Sequence, residues 1–143
     1  MRSPIGLASA LALAPMAQAQ GLCLPSDLQG AWYAYAIGDS FAIGSLPPPP
    51  GQGSWQRCSI RFNADGRVMF GSSCFDDLGT TSTVAGDLTV RPGCRILGSI
   101  TRNVEGASIR CEIDASLAPD KQTGAGVGAC ESGEIFLLNI VKG

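Results

Sequence analysis

The stretch CSIRFNADGRVMF, residues 58–70, decides the fold. Cys58, Ile60 and Phe62 alternate with Ser59 and Arg61, the period-2 pattern of a strand with one buried face. Asn63-Ala-Asp-Gly66 is turn chemistry: Asn and Asp can bond nearby backbone, and Gly accepts a left-handed conformation. Val68 and Phe70 then resume the apolar phase. Two alternating runs around a turn predict an antiparallel hairpin. Pairing Phe62 with Val68 sets its register, with Ile60 opposite Phe70 and Cys58 opposite Ser72.

The same alternation recurs along the chain. Cys94, Ile96, Gly98 and Ile100 share a face, as do Ile109, Cys111 and Ile113. Further strands are expected at Ala31–Ile37, Asp87–Val90 and Glu134–Val141, with a short helical turn at Pro25–Gln29. Long helical periodicity is absent. Seven or eight short strands separated by Gly and Pro predict an all-β fold, a small antiparallel β-barrel. Two segments read as loops. Gly38–Ser54 contains four consecutive prolines, Pro47–Pro50, which favour a stiff polyproline II crossing. A docking site for a proline-binding module is the other reading of that run. Phe75–Gly86 is rich in Gly, Thr and Asp.

Residues 1–19 read as an export signal. Arg2 gives a positive start, Ile5–Ala14 is apolar but too short to span a membrane, and Ala17-Gln-Ala19 fits the cleavage rule. A buried N-terminal helix is the rival reading. Residues 20–143 then form a single β-barrel domain, exported to a periplasm or outside the cell. All six cysteines lie in that part, and an even number in a small exported domain implies disulfides. The inward phases favour Cys58 with Cys74 across the hairpin, closed by a bulge or the strand end. They also favour Cys94 with Cys111 on neighbouring strands, which leaves Cys23 with Cys130. Six cysteines allow 15 connectivities, so this is a preference among many.

The chemistry excluded is as informative. The chain has no histidine, which removes the usual general base and the Ser-His and Cys-His nucleophile pairs. It has no Cys-x-x-Cys, so no zinc site is expected. Asp76-Asp77 reads as part of a solvated loop, although there the pair could meet a sugar or a calcium ion, and Asn63–Gly66 reads as a hairpin turn without the spaced ligands of a calcium loop. Gly124-Ala-Gly-Val-Gly128 lacks the Lys and Ser/Thr of a phosphate loop. Arg57, Arg61, Arg95 and Arg110 fall on outward phases, where Glu112 and Asp114 can pair with them. The formal net charge of −2 argues against nucleic acid or an anionic membrane as partner. The chain reads as a non-enzymatic binding protein, monomeric, with no cofactor and no membrane insertion.

Leu28-x-Gly30-x-Trp32 resembles the opening strand of calycin barrels, the lipocalin-like group, in which such a tryptophan closes the barrel floor. Leu24-Pro25-Ser26, Leu28–Trp32, Cys58-Ser-Ile-Arg-Phe-Asn63 and Cys74 together resemble the small exported inhibitors of bacterial serralysin-type metalloproteases. Gly86–Val90 and Ile96–Arg102 are compatible with them. The resemblance implies an N-terminal arm, here Gln20, Gly21 and Leu22, that enters the cleft of a secreted protease. It also implies Trp32 as a floor residue. Two alternatives stand beside this. One is a lipocalin-like carrier of a small apolar ligand, with Trp32, Phe62 and Phe70 lining a cup under a lid at 45–53. The other is a structural or surface-assembly protein, because Ile135–Val141 is apolar on both phases and one side then needs a partner.

Overall fold

A computed structural model of the chain describes residues 22–39 and 54–143. Residues 1–21, which hold the expected export signal and the arm positions Gln20 and Gly21, and residues 40–53 of the proline loop lie outside the described residues. After a 3₁₀ turn at Pro25–Leu28 come eight strands: β1 (Gly30–Asp39), β2 (Ser54–Phe62), β3 (Ser73–Asp76), β4 (Thr81–Arg91), β5 (Arg95–Val104), β6 (Ala107–Leu117), β7 (Thr123–Cys130) and β8 (Ile135–Lys142). Each pairs antiparallel with the next, and β1 also pairs with β8, Trp32 opposite Lys142 and Ile37 opposite Leu137. The sheet is therefore a closed barrel in simple up-and-down order.

Alternation decides what lies inside. Trp32, Ala34 and Ala36 of β1, Cys58, Ile60 and Phe62 of β2, Ile96 and Ile100 of β5, and Ile113 and Ala115 of β6 form the core. Two inward glycines allow β4 and β5 to coil tightly. Gly86 and Gly98 have φ of 134° and 151°, and a Cβ on either would meet the backbone oxygen of the facing strand at 2.3 and 2.2 Å.

Three sequence expectations need correction. The Phe75–Gly86 loop is instead the end of β3, a turn and the start of β4. Asp76 Oδ1 holds that turn by accepting from the amides of Leu78 and Thr80. The expected hairpin register holds at Phe62 and Val68 and then breaks. A turn at Met69–Gly71, closed by Ser72 Oγ donating to the Met69 carbonyl, turns Phe70 out into solvent. That turn advances the register by two, so Cys74 lies opposite Cys58. Finally, β7 was read only as a glycine-rich segment. Its glycines occupy the inward phase of a strand.

The bridges are Cys58–Cys74, Cys111–Cys130 and Cys23–Cys94. Cys94 does not reach Cys111, because β6 places Cys111 opposite Ile100. Cys94 lies six residues earlier, about 20 Å along the strand, in the β4–β5 turn. Cys130 stands directly opposite Cys111, Cα to Cα 3.8 Å, and so takes the partner assigned above to Cys23. Cys23 instead ties the N-terminal segment to that β4–β5 turn.

Closing a 71-residue separation should contribute about 4 kcal/mol in the chain-entropy model, against about 3 for the 16-residue Cys58–Cys74 link. Urea unfolding of C23S/C94S and C58S/C74S should show both losses, the first larger. A non-reduced peptide map should recover Cys23 joined to Cys94.

Candidate functional site

The two ends of the barrel are built differently. At one end Leu28 and Trp32 plug the interior, and Trp32 is only 2% exposed. The Pro25–Leu28 turn places the Leu28 carbonyl 2.7 Å from Trp32 Nε1, which donates to it. Lys142 lies over the indole at 5.3 Å, and its Nζ donates to the Asp27 carbonyl. Asp27 is the hub of this end. Its Oδ2 accepts from the Leu24 amide at 2.7 Å and pairs with Lys121 at 3.0 Å. The Leu24 amide bond holds the Asp27 carboxyl below the ordinary carboxylate range; burial opposes this, and Lys121 assists. Lys121 Nζ also donates to the Leu22 carbonyl, 2.9 Å away. Leu22 itself projects into solvent, 82% exposed.

Among the described residues the other end is open. The chain crosses it at the β3–β4, β5–β6 and β7–β8 turns, and β1 ends and β2 begins there. A mouth of about 110 Å³ is bounded by Gln56, Asp76, Asp77, Arg102, Glu134 and Phe136. Below it an apolar shaft of about 40 Å³ runs between Ile60, Ile100, Ile113 and Leu138 toward Trp32. Ala36, Gln56, Arg102 and Phe136 line both spaces, so they form the boundary between mouth and shaft.

Phe136 sits at that boundary because β7 has no side chain in its way. A Cβ on Gly128 would lie 2.1 Å from the Phe136 ring, and one on Gly38 would lie 2.8 Å from the Phe136 Cβ. The inward phase of β7, Gly124, Gly126 and Gly128, thus yields its volume to Phe136, Ile140 and Ala115 from the flanking strands. Sequence reading missed this role. The signal was present, since glycine recurs with period 2.

Arg102 is the second residue that sequence reading passed over. It continues the inward phase of Ile96, Gly98 and Ile100, and it is the one buried charged residue among those described. Its Nε donates to Ser82 Oγ at 3.5 Å, and its Nη1 lies 3.9 Å from a Glu134 oxygen. Both contacts are long. The outward arginines behave ordinarily. Arg95 pairs with Asp114 and Arg110 with Glu112, while Arg57 lies over Trp55. Such exposed pairs contribute little to stability. Asn63 Oδ1 accepts from the amides of Asp65 and Arg67, so that motif is a turn cap. Among the described residues no group of three His, Cys, Asp or Glu side chains is placed to hold a metal.

The outer wall also carries features. A shallow depression of about 440 Å³ lies between Tyr33, Tyr35, Arg57 and Phe75. The apolar run of β8 divides its phases: Phe136, Leu138 and Ile140 turn inward, while Ile135, Leu137 and Val141 are exposed beside Ile37 and Tyr33 of β1.

No family model matches the chain, and no curated protein matches it. Two solved structures are similar, both of redesigned β-barrels bound to DFHBI. The barrel mFAP0 superposes with a TM-score of 0.59 at 13% identity, covering 81% of this chain and 99% of that one. The barrel mFAP1 gives 0.58 at 13% identity, covering 82% and 97%. At this identity the likeness shows the fold alone.

If Gly128 is small so that Phe136 can lie across β7, G128A should cost about 1–3 kcal/mol through overpacking. In an F136A background the same substitution should cost clearly less. A double-mutant cycle by urea unfolding should return a coupling of about 1 kcal/mol or more. Additive losses would show that the ring does not rest there.

Proposed function

We propose that this is an exported binding protein that takes a small ligand with an apolar body into the open end of its barrel. The observation that carries the reading is the mouth of about 110 Å³ standing on an apolar shaft, with Phe136 between them. The dimensions limit the ligand. A shaft of about 40 Å³ has room for a few waters or a short alkyl group, at roughly 10–15 Å³ for each water. A dry cavity of about 150 Å³ admits benzene, so the partly open mouth of about 110 Å³ suits a single ring, with only a short substituent entering the shaft. The redesigned barrels of similar fold were solved with a small molecule bound, which supports the reading by shape only. The three disulfides are compatible with an oxidising, exported compartment.

Titration with benzamide, followed by two-dimensional NMR, tests this. Binding should shift Ala36, Gln56, Ile100 and Phe136. No interior shift at millimolar benzamide, or shifts confined to the outer wall around Tyr35 and Phe75, would contradict it.

Inhibition of a serralysin-type protease is the second reading, and one observation favours it. The Cys23–Cys94 bridge and the Lys121 contact fix the backbone of Leu22 while leaving its side chain in solvent, as a preorganised arm requires. Protein beginning at an uncyclised Gln20 should inhibit such an enzyme, and C23S/C94S should inhibit at least tenfold less well. No inhibition by the intact form would end this reading.

A further inference from the structure

Arg102 does not suit a barrel that merely fills its own interior. Its side chain is only 10% exposed. No side-chain nitrogen or oxygen among the described residues is both buried from solvent and without a partner, so the guanidinium nitrogens that lack one face the mouth rather than the dry interior. The partners available are poor. Glu134 lies at 3.9 Å, beyond hydrogen-bond reach, and Ser82 Oγ stands at the 3.5 Å limit. Of the five N–H donors of arginine, one therefore has an acceptor among the described residues. Both Nη groups are left to the space that Arg102 lines. Gln56 borders the same space, and among the described residues its Nε2 donates only to a weak acceptor, Cys58 Sγ at 3.4 Å.

We infer that the mouth is a carboxylate-binding site, with Arg102 as the anchor and Gln56 as a second donor, for a small monoanion whose apolar body rests on Phe136. This rests on the ligand-binding reading above and names its ligand class. The fork of a guanidinium matches two carboxylate oxygens, which gives short charge-assisted bonds in place of the long contacts seen. Asp76, Asp77 and Glu134 border the same mouth, so three carboxylates face one guanidinium and every anion meets repulsion, a dianion such as a phosphate ester most. A single carboxylate is held there by the Arg102 fork against that field. The body is selected by Ala36, Ile100 and Phe136, which offer no polar partner.

Benzoate and benzamide differ little in shape and by one charge, so they separate anchor from pocket. In the wild-type protein at pH 7, benzoate should bind at least tenfold more tightly than benzamide. R102M should abolish that preference, lowering benzoate affinity at least tenfold more than benzamide affinity. R102M should also fold, because replacing a poorly paired buried charge by an apolar side chain is commonly neutral or stabilising. Its far-ultraviolet circular dichroism and urea midpoint check this. R102K, with charge but no fork, should keep part of the preference. E134Q should raise benzoate affinity severalfold, which a merely structural role for Glu134 would not do. Equal affinities in the wild type, or a preference that survives R102M, would overturn the anchor and leave the ligand-binding reading standing. Failure of both compounds to bind would overturn both.

Discussion

Closure is the constraint on which everything else depends. Because β1 pairs with β8 as well as with β2, the sheet has no free edge and its interior has a fixed girth. Eight strands leave an interior just wide enough to be filled by side chains. Space inside is therefore allocated residue by residue. At the closed end Leu28 and Trp32 plug it and leave only the narrow apolar shaft of about 40 Å³ above them. Toward the mouth the inward positions are Ala36, Gly38 and Gly128, and the volume they leave is divided between Phe136 and open space. A cup rather than a solid core follows from that gradient of size.

The same closure sets the electrostatics. A residue on an inward phase has no route to solvent except through the ends. Lys142 escapes at the closed end, reaching the Asp27 carbonyl and the face of Trp32. Arg102 sits one turn of alternation below the other end and cannot escape as far, so its donors open on the mouth. The disulfides act on the same frame. Two link directly opposed inward residues, and the third fixes the N-terminal segment at the closed end. One end is thereby dry and tied to the N-terminal segment, and the other, among the described residues, is polar and accessible. The two functional readings belong to opposite ends of one barrel, and neither excludes the other sterically.

Much of this was legible in the sequence. Period-2 alternation located most strands, the Asn63–Gly66 turn located the first tight hairpin, and together they gave the barrel class. What was not legible has physical causes. Glycine has low strand propensity, so the glycine-rich Gly124–Gly128 gives no strand signal, because its inward volume is filled by neighbours. Phe70 was placed inside by extending an alternation through Met69–Gly71, where a local turn breaks the phase. Two cysteine pairings failed because shared inward facing is necessary but not sufficient. The level along the barrel axis also matters, and it depends on turn lengths that pattern does not reveal. Arg102 was recoverable: carrying Ile96, Gly98 and Ile100 forward one step puts it inside.

The central claim is that one end of the interior is wet and accessible while the other is dry. Water-to-protein NOEs measured by solution NMR on the folded chain test it most directly. The account predicts contacts from long-lived water to the Ala36 methyl, the Gln56 amide and the Phe136 ring, with none to Leu28, Trp32 or Ile96. Water contacts running down to Trp32, or none at Ala36 and Phe136, would contradict it.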